Sequence, residues 1–330
     1  MTRTYAGDDA TLLTYWYGMI SRRRLILSAA TTAQLLAKAS QPKTKVRFGV
    51  PKGACDCHTH VFADPAVYPL AAQRSYTPET ASPQEMLSLQ KTLGIDRVVI
   101  VTPSVYGTDN RASAFGIRTL GQKRARGIAV IAADTAEREL HELDRQGFRG
   151  IRLNFATGAS PDLNAMRIRL KRAIEQVKPL GWHIQIYTNL AAIVGMEKEL
   201  TASPTPIVLD HVCGAVPAEG PRQKGFDALL RLVRTGHVYV KLTHRFLSTA
   251  HDPQHCGSIV RSLVDARPDR MLWGTDWPHP DSSQRRNAME ISPLEAIDDG
   301  AMLNHFGSFL SDAKTLRRIL VENPAQLYRF

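Results

Sequence analysis

The chain has 330 residues, 43% hydrophobic and 22% charged, an ordinary composition for a soluble globular protein with one large buried core. Its formal charge of +11 raises a nucleic-acid reading, yet residues 1–45 hold seven basic and two acidic residues and so account for five of those charges. The remaining excess is spread along the chain, which argues against a duplex-binding face and suits a small anionic substrate.

The amino-terminal stretch reads as a leader over residues 1–45. Ser21-Arg-Arg-Arg-Leu-Ile-Leu27, a mildly apolar segment and an Ala37-Lys38-Ala39 site resemble a twin-arginine export signal. That predicts a periplasmic protein; a cytoplasmic enzyme with a basic leader is the alternative. Export signals begin close to their basic pair, which makes Met19 a candidate start beside Met1. The apolar stretch is too short and too polar to span a bilayer, and no stable membrane insertion is expected.

From residue 46 to 330 the pattern is one domain of alternating short β-branched runs and longer amphipathic segments, the signature of a parallel sheet with crossover helices. Eight strands are predicted, at 54–60, 97–102, 127–132, 149–154, 182–187, 206–211, 237–242 and 270–276. Helices are predicted at 83–93, 110–124, 136–146, 162–178, 190–200, 222–235 and 254–266, with a last one over 312–328 broken at Pro324. Gly94, Gly127, Gly147, Gly181 and Gly236 are placed as left-handed helix stops. Eight such units predict an α/β fold, the (β/α)8 TIM barrel, and the polar loop from His279 to about residue 300 is expected to cover part of its mouth.

In that architecture chemistry sits where the strands end. The first strand ends in Asp56-Cys-His-Thr-His60, and strand alternation turns His58 and His60 to one face and Cys57 to the other. The other ends supply Thr102 and Ser104, Arg152 and Asn154, Tyr187, Asp210 and His211, Lys241, and Asp276. Each has a bland reading: Arg152 as the partner of a structural carboxylate, Tyr187 as a core phenol, Lys241 snorkelling to the rim. So many ionisable groups at one face favour a shared active site. The four cysteines, Cys55, Cys57, Cys213 and Cys256, show neither zinc-finger spacing nor a disulfide framework.

At these residues the chain resembles the amidohydrolase superfamily, in the amidohydrolase-related branch that includes 2-pyrone-4,6-dicarboxylate lactonases and sugar-lactone-processing relatives. The resemblance covers about residues 53–329. It rests on Asp56-Cys-His-Thr-His-Val-Phe62, Gly107-Thr-Asp-Asn110, Arg126-Gly-Ile-Ala-Val130, Arg149-Gly-Ile-Arg-Leu-Asn154, Leu209-Asp-His211, Trp273-Gly-Thr-Asp-Trp-Pro-His-Pro280 and Asn323-Pro-Ala-Gln-Leu-Tyr328. It implies a hydrolase that opens a lactone without a metal. In that scheme Asp276 activates water, and His58, His60 and His211 polarise the carbonyl. Arg152 and Arg245 hold carboxylates, and Ser104, Tyr76 and Tyr187 donate to the rest of the substrate.

Arg152 stands where a second metal would need a bridging ligand, and Tyr187 stands at the fifth strand end, with His183 at the far end of that strand. One zinc ion on His58, His60 and Asp276 stays open as the alternative, since three protein ligands suffice. An amidohydrolase or decarboxylase with that zinc, a lactone isomerase, and a catalytically inactive small-molecule-binding barrel are the other readings. The dicarboxylate lactonases carry a further arginine beyond the fourth strand and another after the sixth-strand histidine. Here those stretches read Asn154-Phe-Ala-Thr-Gly-Ala-Ser160 and Val212-Cys-Gly-Ala215, which points to a monocarboxylated or neutral lactone. A homo-oligomer is left open.

Overall fold

A computed structural model describes residues 39–156, 162–243, 247, 252–281 and 287–330. Eight parallel strands follow one another in sheet order: β1 (Cys55–Thr59), β2 (Arg97–Val101), β3 (Ala125–Ala129), β4 (Phe148–Asn154), β5 (His183–Tyr187), β6 (Ile207–Leu209), β7 (Val238–Thr243) and β8 (Met271–Gly274). Beyond β8 the chain returns to β1. Asp276 N–H donates to the His58 carbonyl at 2.8 Å and His60 N–H to the Trp277 carbonyl at 2.8 Å, which closes the ring. The predicted strands all exist, because apolar runs such as Arg97-Val-Val-Ile-Val101 are buried on both faces, as a parallel barrel requires.

Helices pack on the outside. The first, α1 (Pro83–Leu93), starts at a Ser82/Glu85 capping box and stops at Gly94, whose φ of 74° is left-handed. Gly147, Gly181 and Gly236 also have positive φ, but Gly127 is no helix stop. It lies inside β3, where an added Cβ would come within 2.5 Å of the Phe148 ring and 2.7 Å of Ile117, so its role is close packing. The helix predicted at 190–200 divides at Met196 into α2 (Leu190–Gly195) and α3 (Glu197–Thr201). At the end of the chain Pro324 does not break a helix. It enters the last one, Asn323–Tyr328, after a π-helical turn at Arg318–Glu322.

Two core layers result. Val98 and Ile100 face the helices, while Val99, Val101, Ile128, Val208 and Leu272 fill the barrel. Cys57 belongs to the inner layer, contrary to simple alternation. Asp56 pairs with Val98 and Thr59 with Ile100, so β1 spends three residues where β2 spends two. This bulge lets both Cys57 and His58 face inward.

Residues 40–44, ahead of β1, are tied to the barrel. Trp277 Nε1–H donates to the Ser40 carbonyl at 3.1 Å, and Thr44 N–H and Oγ1–H donate to Asp298 Oδ2 at 3.0 and 2.6 Å. The expected export signal as far as Lys38 and the Met19 start fall on residues outside the described ones. Among the described residues no helix is long and apolar enough to cross a membrane.

Candidate active site

At the carboxyl end of the barrel Asp276 stands just beyond β8 with a left-handed φ of 64°. Its Oδ1 lies 3.5 Å from His58 Nε2 and 3.3 Å from His60 Nε2, and its Oδ2 lies 4.0 Å from His211 Nδ1. The three rings crowd together, with His58 centred 5.1 Å from His60 and 4.9 Å from His211. Gly274 makes room for this: a Cβ there would come 2.8 Å from the His58 backbone nitrogen. The backbone of β6 then turns left-handed through His211, Val212 and Cys213, with φ of 51°, 52° and 52°, an unfavourable conformation for Val above all.

Beneath this cluster lies a buried charged layer. Asp210 Oδ2 accepts from Arg152 Nε at 3.1 Å and from Gln185 Nε2 at 2.9 Å, and Lys241 Nζ donates to Gln185 Oε1 at 2.6 Å. Burial and the Lys241 ammonium hold His58 well below the ordinary histidine range, so its ring is neutral. Burial alone would raise the Asp210 carboxyl, but the groups around it reverse that and hold it well below the usual carboxylate range. With His58 neutral, the cations that keep Asp210 ionised are Lys241 and Arg152. Lys241 is itself lowered by burial, against the pull of Asp210. It does not snorkel to the rim; it is fully buried.

A second layer positions the first. His60 donates Nδ1–H to the Val101 carbonyl at 2.8 Å, since a carbonyl can only accept, and His211 Nδ1 sits 2.6 Å from Thr243 Oγ1. Asp56 accepts from the His58 backbone N–H at 3.1 Å and from the Thr275 N–H and hydroxyl at 3.0 and 2.6 Å, tying β1 to the Asp276 turn. Burial nonetheless pushes its carboxyl up to about 7. His279, also at positive φ, bonds Asp299 at 3.1 Å in a buried pair. Burial alone would lower this imidazole, but the facing Asp299 carboxylate raises it above the ordinary range.

The structure thus brings His58, His60, His211 and Asp276 together, with Arg152 one layer below. The Arg152 guanidinium lies 5.0 Å from the Tyr187 ring centre, and Tyr187 stands edge-on to His211 at 5.0 Å. Tyr76 stands edge-on to Phe62, which stacks on His60. Ser104 opens a single 3-10 turn just after β2 and is half-buried. Thr102 turns the other way, with its hydroxyl 2.9 Å from both Asn110 Oδ1 and Ser113 Oγ. Arg245 lies outside the described residues. His183 is buried at the opposite end of β5 against Tyr328, and burial lowers it to about 3.

Sequence reading missed Gln185, Thr243 and the positioning role of Asp56. Strand alternation carries a signal for two of them, since Gln185 is two residues from Tyr187 and Thr243 two from Lys241. Among the described residues two sets of side chains have donor atoms within 4.8 Å of one another and fit a metal ion by that measure, His58 with His60 and Asp276, and His58 with Asp210 and His211. In the first set His60 fits well, because the Nδ1–H held by Val101 leaves its Nε2 lone pair facing Asp276.

The family profile described as amidohydrolase matches residues 55–330 of this chain. The chain is 33% identical over 286 residues to a 4-sulfomuconolactone hydrolase of Rhizobium radiobacter, a match covering 86% of this chain and 92% of that protein. It is 31% identical over 299 residues to a 2-pyrone-4,6-dicarboxylate hydrolase of Comamonas testosteroni, covering 86% and 93%. An apo crystal structure from Agrobacterium tumefaciens, 23% identical, superposes with a TM-score of 0.71 over 86% of this chain and 97% of its own and shares the fold. The chain belongs to the amidohydrolase family.

Proposed function

We propose that this amidohydrolase opens an anionic lactone by adding water to its ring carbonyl. The observation that carries the reading is the convergence of Asp276 with three histidines above a buried arginine, in a chain whose relatives are named for lactone hydrolysis. Asp276 takes a proton as a water oxygen bonds to the carbonyl carbon. His58 and His211 donate to the carbonyl oxygen as it gains charge, and His60, with its Nδ1–H held by Val101, accepts from the attacking water at Nε2. When the tetrahedral adduct collapses, the bond to the ring oxygen breaks, and that oxygen takes the proton held by Asp276. The product is an open-chain hydroxy acid or, from an enol lactone, an enol that tautomerises to the keto acid.

Arg152 is the anchor for the substrate's anionic group. Asp210 fixes it through Nε alone, and its two Nη groups enter no hydrogen bond with described residues, so a bidentate face is left for a carboxylate or sulfonate. Tyr187, Tyr76 and Ser104 line the rim as donors, and Arg245 is the second candidate clamp.

A second reading is favoured by the His58, His60 and Asp276 donor set. Those residues would hold one divalent ion, which would polarise the carbonyl as a Lewis acid. The deciding experiment follows ring opening of carboxylated and sulfonated lactones, with metal content measured before and after chelation. Turnover that survives chelation supports the metal-free reading. Turnover lost on chelation and restored by zinc establishes the second, and a panel with no lactone opened overturns both.

A further inference from the structure

His58 presents Nδ1 to two buried neighbours of opposite kind. Lys241 Nζ, which as an ammonium only donates, lies 3.4 Å away, and Asp210 Oδ1, which as a carboxylate only accepts, also lies 3.4 Å away. One ring nitrogen cannot satisfy both, and the choice fixes where the ring's single proton sits. The contact with Lys241 has hydrogen-bond geometry, whereas Asp210 Oδ1 has no hydrogen bond although it is buried. With Nδ1 as the acceptor of that contact, the proton belongs to Nε2. That nitrogen is buried without a hydrogen-bond partner and looks into the cluster, 3.5 Å from Asp276 Oδ1. His60 has the reverse arrangement, with Nδ1–H spent on the Val101 carbonyl.

We propose that Lys241 is a positioning residue that holds His58 as its Nε2–H tautomer, the form that donates to a substrate carbonyl and has no lone pair to offer a metal beside Asp276. Gln185 completes the device. Its amide oxygen takes one Lys241 proton and its amide nitrogen donates to Asp210 Oδ2, so the ammonium is held against His58 rather than collapsing onto the carboxylate. The donor half of the proposal rests on the lactone reading; the tautomer and the resistance to metal do not. Without Lys241, His58 would turn its proton to Nδ1 to satisfy Asp210, and its bare Nε2 would join that of His60.

The test is nitrogen-15 NMR of histidine-labelled protein, with the His58 signals identified by their loss in His58→Asn. The long-range proton–nitrogen couplings of wild type are expected to show the Nε2–H tautomer. In Lys241→Met, which keeps the stem and removes the donor, the tautomer is expected to switch to Nδ1–H. Zinc affinity measured by calorimetry should rise at least about tenfold, and lactone turnover should fall about 100-fold. Lys241→Arg, which restores a donor, should keep the wild-type tautomer. An Nδ1–H tautomer in wild type overturns the proposal, even if Lys241→Met does not fold. So does a Lys241→Met protein whose tautomer and zinc affinity are unchanged. Wild type with the expected tautomer but no lactone turnover upholds the lock and overturns the reading of function.

Discussion

Where the barrel strands begin, Arg126 donates to the backbone carbonyls of Gln122, Tyr328 and Arg329, and the guanidinium groups of Arg97 and Arg126 lie 5.1 and 4.9 Å from the Phe330 ring centre. Where the strands finish, ionisable side chains answer one another instead: Asp276 with three histidines, Asp210 with Arg152 and Lys241. Both ends contain buried nitrogens without hydrogen bonds, for His183 is as idle at one end as His58 Nε2 is at the other. An unpartnered buried group is thus no mark of a site by itself. Two features separate the ends. His183 faces a neutral phenol, whereas His58 stands among opposite charges. Among the described non-glycine residues, positive φ falls at five positions near the finishing end and at Arg329 alone at the other. Strain is held where the chemistry is placed.

Substitutions at the two ends sharpen that contrast. Asp276→Asn should have the largest effect, lowering lactone turnover about 1,000-fold or more while a substrate analogue still binds in calorimetry. Retained turnover would remove Asp276 as the base. Asp56, between the two ends, reports on stability. Its folded carboxyl is pushed up to about 7, against about 3.9 in an unfolded chain. The folded state therefore keeps a proton the unfolded state has already lost. This contribution is full below about pH 4 and disappears as pH rises through about 7. Urea unfolding of wild type should show a stability loss between about pH 5 and pH 8 that Asp56→Asn lacks, a difference on the order of 2–4 kcal/mol. Equal slopes would mean that its three hydrogen bonds keep Asp56 ionised.

Arg152→Lys removes the planar fork but keeps a charge near Asp210. It should raise KM for a carboxylated lactone about 10-fold to 30-fold with a smaller change in kcat. An unchanged KM would move the anchor elsewhere. The smallest effect belongs to the quiet end: Phe330→Ala should cost about 1 kcal/mol of stability in urea titration and leave kcat and KM untouched. A fall in kcat would show that the two ends are coupled.

The eight strands were legible because their composition is dictated locally, by apolar runs that must be buried on both faces. The residues at the strand ends were legible for the same reason, since a polar side chain following such a run has few places to go. What escaped the sequence depends on partners far away in the chain. The extra residue in β1 that turns Cys57 inward shows only in its pairing with β2. Gly127 reads as a helix stop until Phe148 and Ile117 are packed against it. Gln185 gains its meaning from Asp210 and Lys241, which arrive on other strands. Met196 divides a helix whose hydrophobic pattern runs through it unbroken.

The loops after the first and last strands are zipped together. Thr77 and Pro78 pair with Ile291 and Ser292, the Thr77 hydroxyl reaches the Ala288 carbonyl at 2.8 Å, and Leu294 N–H reaches Glu79 at 3.3 Å. This part of the rim is accordingly a single cassette drawn from two distant stretches of sequence. Grafting one stretch from a relative would leave half a seam with no match, so the two stretches have to be transplanted as a matched pair.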